Sequence, residues 1–506
     1  MTTFILVSGM FTGPHVWEST AARLEEEGAR VHAVALGGLG DAGTSGAGVD
    51  LEAHVGDVVA AIDGVVRVAS DEIVLVGHDY GIHPVVGAAD RRADSVNRIV
   101  YLDSGLPRDG APALAAVADQ GLREEVLRVA GGGVPGAVLP PPAREEWRHW
   151  GSTAGVPDTE LDRLTALARP QPLGTLLQPL SLTGAAAAVP MSGVLCSGNG
   201  ASIALVQARV NLGEPTLLPL VDAGMSFLEL PTGHWPMLST PAELADTLLR
   251  AAAGRGSRLT APDAASPPAH LGPFLLDVPE VPRERTGNLD LYVPPAARGP
   301  LPAVVLVHGG PVPAEARPTP RDWPVLQGYA RGVAGRGVVG AVLDHGLHTV
   351  NDYERAAADL ADAVERVRAD PRVDSDRVAL WFFSGSGPLT ADWLGKPPAW
   401  LRCVAANYPI MAALPNWGRI GVRFRPAEAV AHAGSLPLVL VRVGLENPEI
   451  AATVEEFVHA ALACGAALDV IDVPNGHHTF DAIDRTDESR EAVRRALRTV
   501  VGHLTA

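Results

Sequence analysis

Two stretches of this chain each drive an apolar strand straight into a tight, glycine-flanked turn: EIVLVGHDYG, which carries Asp79, and RVALWFFSGSG, which carries Ser384. A buried strand that bends this sharply needs small neighbours, because a side chain next to the bend would collide with the strand or with the helix that follows. The surroundings of the two turns share one order. An apolar strand reaching a glycine turn comes first (TFILVSG, AVVLVHGGP), then a helical stretch, then a second strand ahead of Gly37 or Gly346. An amphipathic helix follows, over Leu51 to Val66 and over Tyr353 to Arg368, before the strand that enters the sharp turn. Each half closes with a strand, a His-bearing loop and a last helix. Strands alternating with helices, with continuous apolar strand interiors, predict parallel, doubly wound sheets that bind ligands at the carboxyl ends of their strands. The predicted class is α/β, with two such domains in tandem.

At 506 residues the chain exceeds one ordinary core. Gly254 to His270 is rich in Gly, Pro, Ser and Ala and lacks an apolar period, so the expected division is 1–253, a linker over 254–271, and 272–506. A 47% hydrophobic content excludes wholesale disorder, and 58 acidic against 40 basic residues, a formal charge of −18, argues against nucleic acid or an anionic membrane as partner. Three widely spaced cysteines give neither a disulfide framework nor a zinc site. The opening MTTFILVSGMF reads as a first strand rather than a leader, and no run approaches the roughly 18 apolar residues of a membrane helix. These features predict a cytoplasmic protein with a small hydrophobic molecule as partner and no cofactor or metal. Nothing legible encodes an oligomeric state.

The first half is longer between its sharp turn and its closing His. The extra segment, 107–190, is helical and Pro-rich and is expected to form a lid, with Trp147, His149 and Trp150 offering N–H groups to a substrate. In the second half only Trp393 to Trp417 provides a partial cover.

Ser384 stands where its strand ends, the place of a nucleophile elbow, with Gly385 and Gly387 beside it. Phe382 occupies a position normally held by Gly, and Ser386 is the rival nucleophile. Backbone N–H groups of the HGGP turn, at Gly309 and Gly310, together with that of Gly385, would hold an oxyanion. His478 is preferred to His477 as the base, and Glu446 follows the preceding strand as the orienting acid. From HGGP through FFSGSG and GLEN to GHHTFD, residues 272–506 resemble the dienelactone hydrolase-like branch of the α/β-hydrolases. The resemblance implies hydrolysis of an ester or lactone. Dienelactone hydrolases themselves use Cys, so Ser384 points to the esterase-like members. His345 and His348 have metal-like spacing without a further ligand, which favours a structural or pocket-lining role.

The first half, through ILVSGMFTGPHVW, LVGHDYG, RIVYLDSGLP and PTGHWPMLSTPAEL, resembles lidded α/β-hydrolases of the esterase and hydroxynitrile-lyase type. Those esterases read G-H-S-Y-G at the elbow, where this chain has Asp79. An elbow Asp resembles the epoxide hydrolases and haloalkane dehalogenases, and implies a carboxylate that attacks carbon and is then freed by a His-activated water. His234 is the expected base and Asp103 the expected acid, since LCSGNG offers only Asn199 after the next-to-last strand. Gly9, Met10 and Tyr80 are the matching oxyanion positions. Three readings stay open for this half: an Asp-nucleophile hydrolase, a non-catalytic binding or scaffold module, and a general-base or lyase-like use of Asp79 with His234. His83, one turn beyond Asp79, is expected to pack in the elbow helix.

Overall fold

A computed structural model describes all of the chain except residues 40–47, 69–71, 118–119, 132–135, 212–216, 262–268, 296–297, 415–416, 418–419 and 506. The chain divides into two compact units, one built mainly from Met1–Val210 and Pro215–Ala261, the other mainly from Pro262–Leu414 and Ile420–Ala506.

The first unit holds strands β1 (Thr2–Val7), β2 (Arg30–Ala33), β3 (Glu72–His78), β4 (Arg98–Leu102), β5 (Met191–Cys196), β6 (Ser226–Leu230) and β7 (Ser257–Arg258). They form one sheet in the order β2-β1-β3-β4-β5-β6-β7, parallel except for β7. The central strands have no polar face: every residue of β3 after Glu72 is buried, as a sheet covered on both sides requires. Strand β7 lies inside the segment expected to be linker. Its Ser and Arg side chains are exposed, but an open sheet edge recruits backbone whatever the side chains are. The middle of the expected linker, 262–268, lies outside the described residues. The 107–190 insertion forms short helices and turns, among them Gln120–Gly131, Arg144–His149 and Asp158–Leu167.

The second unit holds β8 (Arg283–Thr286), β9 (Leu289–Tyr292), β10 (Leu301–Val307), β11 (Val339–Leu343), β12 (Val373–Phe383), β13 (Leu401–Asn407), β14 (Leu438–Leu445) and β15 (Leu468–His477). Their order is β8-β9-β11-β10-β12-β13-β14-β15, antiparallel through β8, β9 and β11 and parallel beyond. From β11 onward this repeats the order of the first sheet from β2 onward. Register then positions each site. Val7 pairs with Gly77 and Val307 with Phe382, so the glycine turn after the first parallel strand emerges beside the sharp turn in both units.

Candidate active site

In the second unit, Ser384 has φ +50°, a left-handed conformation that a non-glycine residue keeps only where its surroundings hold it. The glycines around it are sterically required. A Cβ on Gly385 would stand 1.8 Å from the Gly310 carbonyl oxygen, and one on Gly387 would stand 2.2 Å from that of Ile410. Phe382 is tolerated because Ser384–Leu389 continues as a 3-10 turn before helix Thr390–Gly395 begins. In the first unit the helix starts at Ile82, whose Cα lies 2.5 Å from where a Cβ on Gly77 would be, and only Gly fits. Ser386 is fully buried and clamps the turn internally: its hydroxyl accepts from the Phe383 N–H at 2.9 Å and faces the Phe383 and Val307 carbonyls.

Ser384 Oγ lies 2.7 Å from His478 Nε2, and His478 Nδ1 lies 2.6 Å from Glu446 Oε2. The Glu446 side chain is 5% exposed and that of His478 28%. The carboxylate is thus shielded while the imidazole still reaches the open side of the site. His477 turns away and pairs with Asp484 at 3.1 Å, and Asn447 caps helix Pro448–Ala463. Gly309 packs on Ser384, its absent Cβ only 2.9 Å from Ser384 Cβ. Behind the HGGP turn, the rings of His308 and His345 stack 3.6 Å apart. The Nε2–H of His345 donates to the His308 carbonyl at 2.9 Å. Burial pushes His308 down to about 4 and His345 well below its ordinary value, so both are neutral props of the turn. Among the described residues no group of three His, Cys, Asp or Glu is arranged to hold a metal.

In the first unit Asp79 has φ +49°, and its Oδ2 accepts the Met10 backbone N–H at 3.1 Å. Gly9 sits against the same oxygen, where a Cβ would approach to 2.8 Å. His234 Nδ1 lies 2.6 Å from Asp103 Oδ2, with both side chains almost wholly buried. Burial pulls the His234 pKa down, but the hydrogen bond and charge of Asp103, joined by the charge of Asp79, outweigh it and hold the value above the ordinary one. Asp103 itself has φ +41° and is pinned by the Cys196 N–H at 3.1 Å and by Asn199 Nδ2 at 2.8 Å. Asn199 is an amide and cannot serve as the acid. In the structure it bridges the site, 3.3 Å from His234 Nδ1 and accepting the Ser152 N–H at 2.8 Å through Oδ1.

Ser152 belongs to the insertion, so this segment is a fixed wall of the site. The His234 N–H donates to the Ser152 carbonyl at 2.7 Å and Gly233 N–H to that of Ala154 at 3.1 Å. Gly151 lies on the imidazole, where a Cβ would be 2.5 Å from His234 Cγ. The expectation that Trp147 offers its N–H to a substrate is corrected: it is 1% exposed, and Nε1 donates to Thr165 Oγ1 at 3.0 Å. Its ring meets Phe11 and Trp235 edge-on, contacts that each contribute about 0.5–1.5 kcal/mol beyond burial and anchor the insertion. Trp150 is half-buried with its ring edge-on to Phe11 at 4.9 Å, and His149 is half-buried in the same turn. The Tyr80 hydroxyl donates to His54 Nδ1 at 2.8 Å, and His83 is packed in the elbow helix as expected.

Parallel strand order, a sharp turn bearing a carboxyl or hydroxyl side chain, and a histidine delivered by the last parallel strand define an α/β-hydrolase. The model of the alpha/beta hydrolase family matches residues 4–247, and the chain belongs to this family and is a hydrolase. It is 33% identical over 258 residues to the carbendazim hydrolyzing esterase of Nocardioides sp. (strain SG-4G), a match that covers 49% of this chain and 98% of that protein. Among solved structures, an extracellular alpha/beta-hydrolase from a Paenibacillus species is similar at 18% identity, covering 50% of this chain and 99% of its own with a TM-score of 0.41. A methylesterase from Arabidopsis is similar at 19%, covering 50% and 99%, with a TM-score of 0.38. No described helix is long and apolar enough to cross a membrane.

Proposed function

We propose that this hydrolase cleaves a small hydrophobic carboxylic ester or lactone through Ser384, His478 and Glu446, in a second hydrolase domain fused behind the first. The carrying observation is the continuous hydrogen-bond path from Ser384 Oγ through the imidazole to Glu446. Ser384 Oγ attacks the ester carbonyl carbon as His478 Nε2 takes its proton, and Glu446 stabilises the imidazolium. The N–H groups of Gly385 and of the Gly309–Gly310 turn receive the oxyanion. Return of the proton to the alkoxide leaving group gives an acyl-serine. Water activated by the same histidine then releases the acid and restores Ser384. Similarity of the first half to an esterase supports ester hydrolysis as the general class. The test is turnover of an aryl ester by the full chain: Ser384→Ala should abolish it, whereas full activity in that variant together with loss in Asp79→Asn would move the working site to the first unit.

A second reading belongs to Asp79. Its Oδ2 already accepts the Met10 N–H, which leaves Oδ1 to attack an electrophilic sp³ carbon, as in epoxide or halide opening. His234, held by Asp103, would then direct water at the resulting alkyl ester. An attack by Asp79 on an ester carbonyl would instead give an anhydride, so this site and the Ser384 site suit different substrates. Labelled oxygen from water appearing in the Asp79 carboxylate after many turnovers of an epoxide supports this reading. Turnover without labelling contradicts it, and ligand binding without turnover favours a binding module.

A further inference from the structure

Tyr408 is the first residue after β13 and has φ +36°, a left-handed conformation that costs a tyrosine energy wherever it is not imposed. The imposition is visible. Its N–H is held by the Val441 carbonyl at 2.8 Å, its ring meets that of His478 edge-on at 5.1 Å, and its hydroxyl donates to Asp481 Oδ1 at 2.8 Å. Asp481 lies three residues beyond His478, in the short helix Phe480–Ile483, and is fully buried. Its other oxygen accepts the Tyr329 hydroxyl at 2.9 Å. That hydroxyl in turn accepts from Asn407 Nδ2 at 2.7 Å, and Asn407 Oδ1 accepts the Trp381 Nε1–H at 3.0 Å. A buried carboxylate surrounded only by neutral donors is expensive to keep. Burial accordingly pushes Asp481 up to about 6 despite these donors. None of this is needed to complete the sheet, since β13 already pairs on both sides.

We propose that Tyr408 and Asp481 are a positioning pair for the His478 base. Asp481 ties the base-bearing loop to Tyr408, and the tyrosine ring fixes the imidazole plane so that Nδ1 meets Glu446 while Nε2 meets Ser384. The proposal rests on the Ser384 reading. Tyr408 is almost wholly buried and Asp481 fully buried, so the pair acts on the alignment of proton transfer and not on binding. Misalignment of a reacting group on the ångström scale costs about 10- to 100-fold in rate.

The experiment compares Tyr408→Phe, Asp481→Asn and Ser384→Ala in the full chain on an aryl ester, separating kcat from KM. Tyr408→Phe keeps the ring and removes only its tether. It should lower kcat about 10- to 100-fold with KM unchanged, and Asp481→Asn should act in the same direction. A folded Tyr408→Phe with native kcat, or with only KM altered, overturns the proposal, and this variant decides the matter if Asp481→Asn does not fold. Native hydrolysis by Ser384→Ala would instead overturn the underlying reading, and the proposal with it.

Discussion

Asp103 and Glu446 hold their histidines from different strands of sheets that share one strand order. Asp103 follows β4, directly beside the elbow strand, whereas Glu446 follows β14, one strand further out. Each vacated place has been refilled: Asn199 stands after β5 where its counterpart carries Glu446, and Tyr408 stands after β13 where its counterpart carries Asp103. The imidazole can therefore be reached from either strand end, and the carboxylate needs to occupy only one.

That equivalence is testable in the first unit without knowing a substrate. Asp103→Asn should lower the pKa of His234 from its raised value, because burial then acts with less opposition. Adding Asn199→Asp should raise it again, since the amide nitrogen already lies 3.3 Å from His234 Nδ1. Titration of the imidazole resonance by NMR reads both changes. An unchanged pKa in Asp103→Asn would contradict the assignment.

In the second unit Glu446→Gln should leave the Ser384 site folded but lower kcat on an aryl ester at least about 100-fold, because a neutral amide no longer stabilises the imidazolium. Asp103→Asn should leave that same activity untouched. Steady-state kinetics of the two variants side by side checks the separation.

Gly151→Ala should destabilise the first unit by about 1–3 kcal/mol, because its methyl group would be driven into the His234 ring and the ring is held by Asp103. Thermal unfolding followed by calorimetry should show the transition of this unit move down while the other stays.

Acid should weaken the second unit through its stacked histidines. His308 titrates at about 4 when folded but at 6.5 when exposed, so between those values the unfolded chain takes up more protons and stability falls as pH falls. His345, also depressed, adds in the same direction. His308 alone accounts for up to about 3 kcal/mol, fully present above pH 6.5 and lost by about pH 4. Denaturant unfolding at pH 7 and pH 4.5 should show a smaller difference in His308→Gln than in the native chain.

The repeated order of elements, both sharp turns and which carboxylate meets each histidine are legible because they depend on local features: apolar runs, small residues at bends, and His or carboxylate after a strand. The contacts between distant segments are not. By sequence Trp147 reads as a substrate donor, but Thr165, eighteen residues on, takes its N–H. The chemical type of Asn199 hides its role, whereas its position after β5 is the informative feature. Tyr408 carries no motif and Asp481 is legible only as the last residue of GHHTFD, with no role attached; the left-handed backbone of Tyr408 and the burial of both mark them. Strand β7 leaves no signal in the sequence because edge pairing needs no side-chain pattern.

Covalent capture tests most directly whether Ser384 is an activated nucleophile. The full chain treated with an alkyl fluorophosphonate should take up one equivalent, with the phosphonyl group mapped by peptide mass spectrometry to Ser384 and uptake lost in His478→Ala. Absence of labelling in the native chain, or a label that stays in Ser384→Ala, would contradict it.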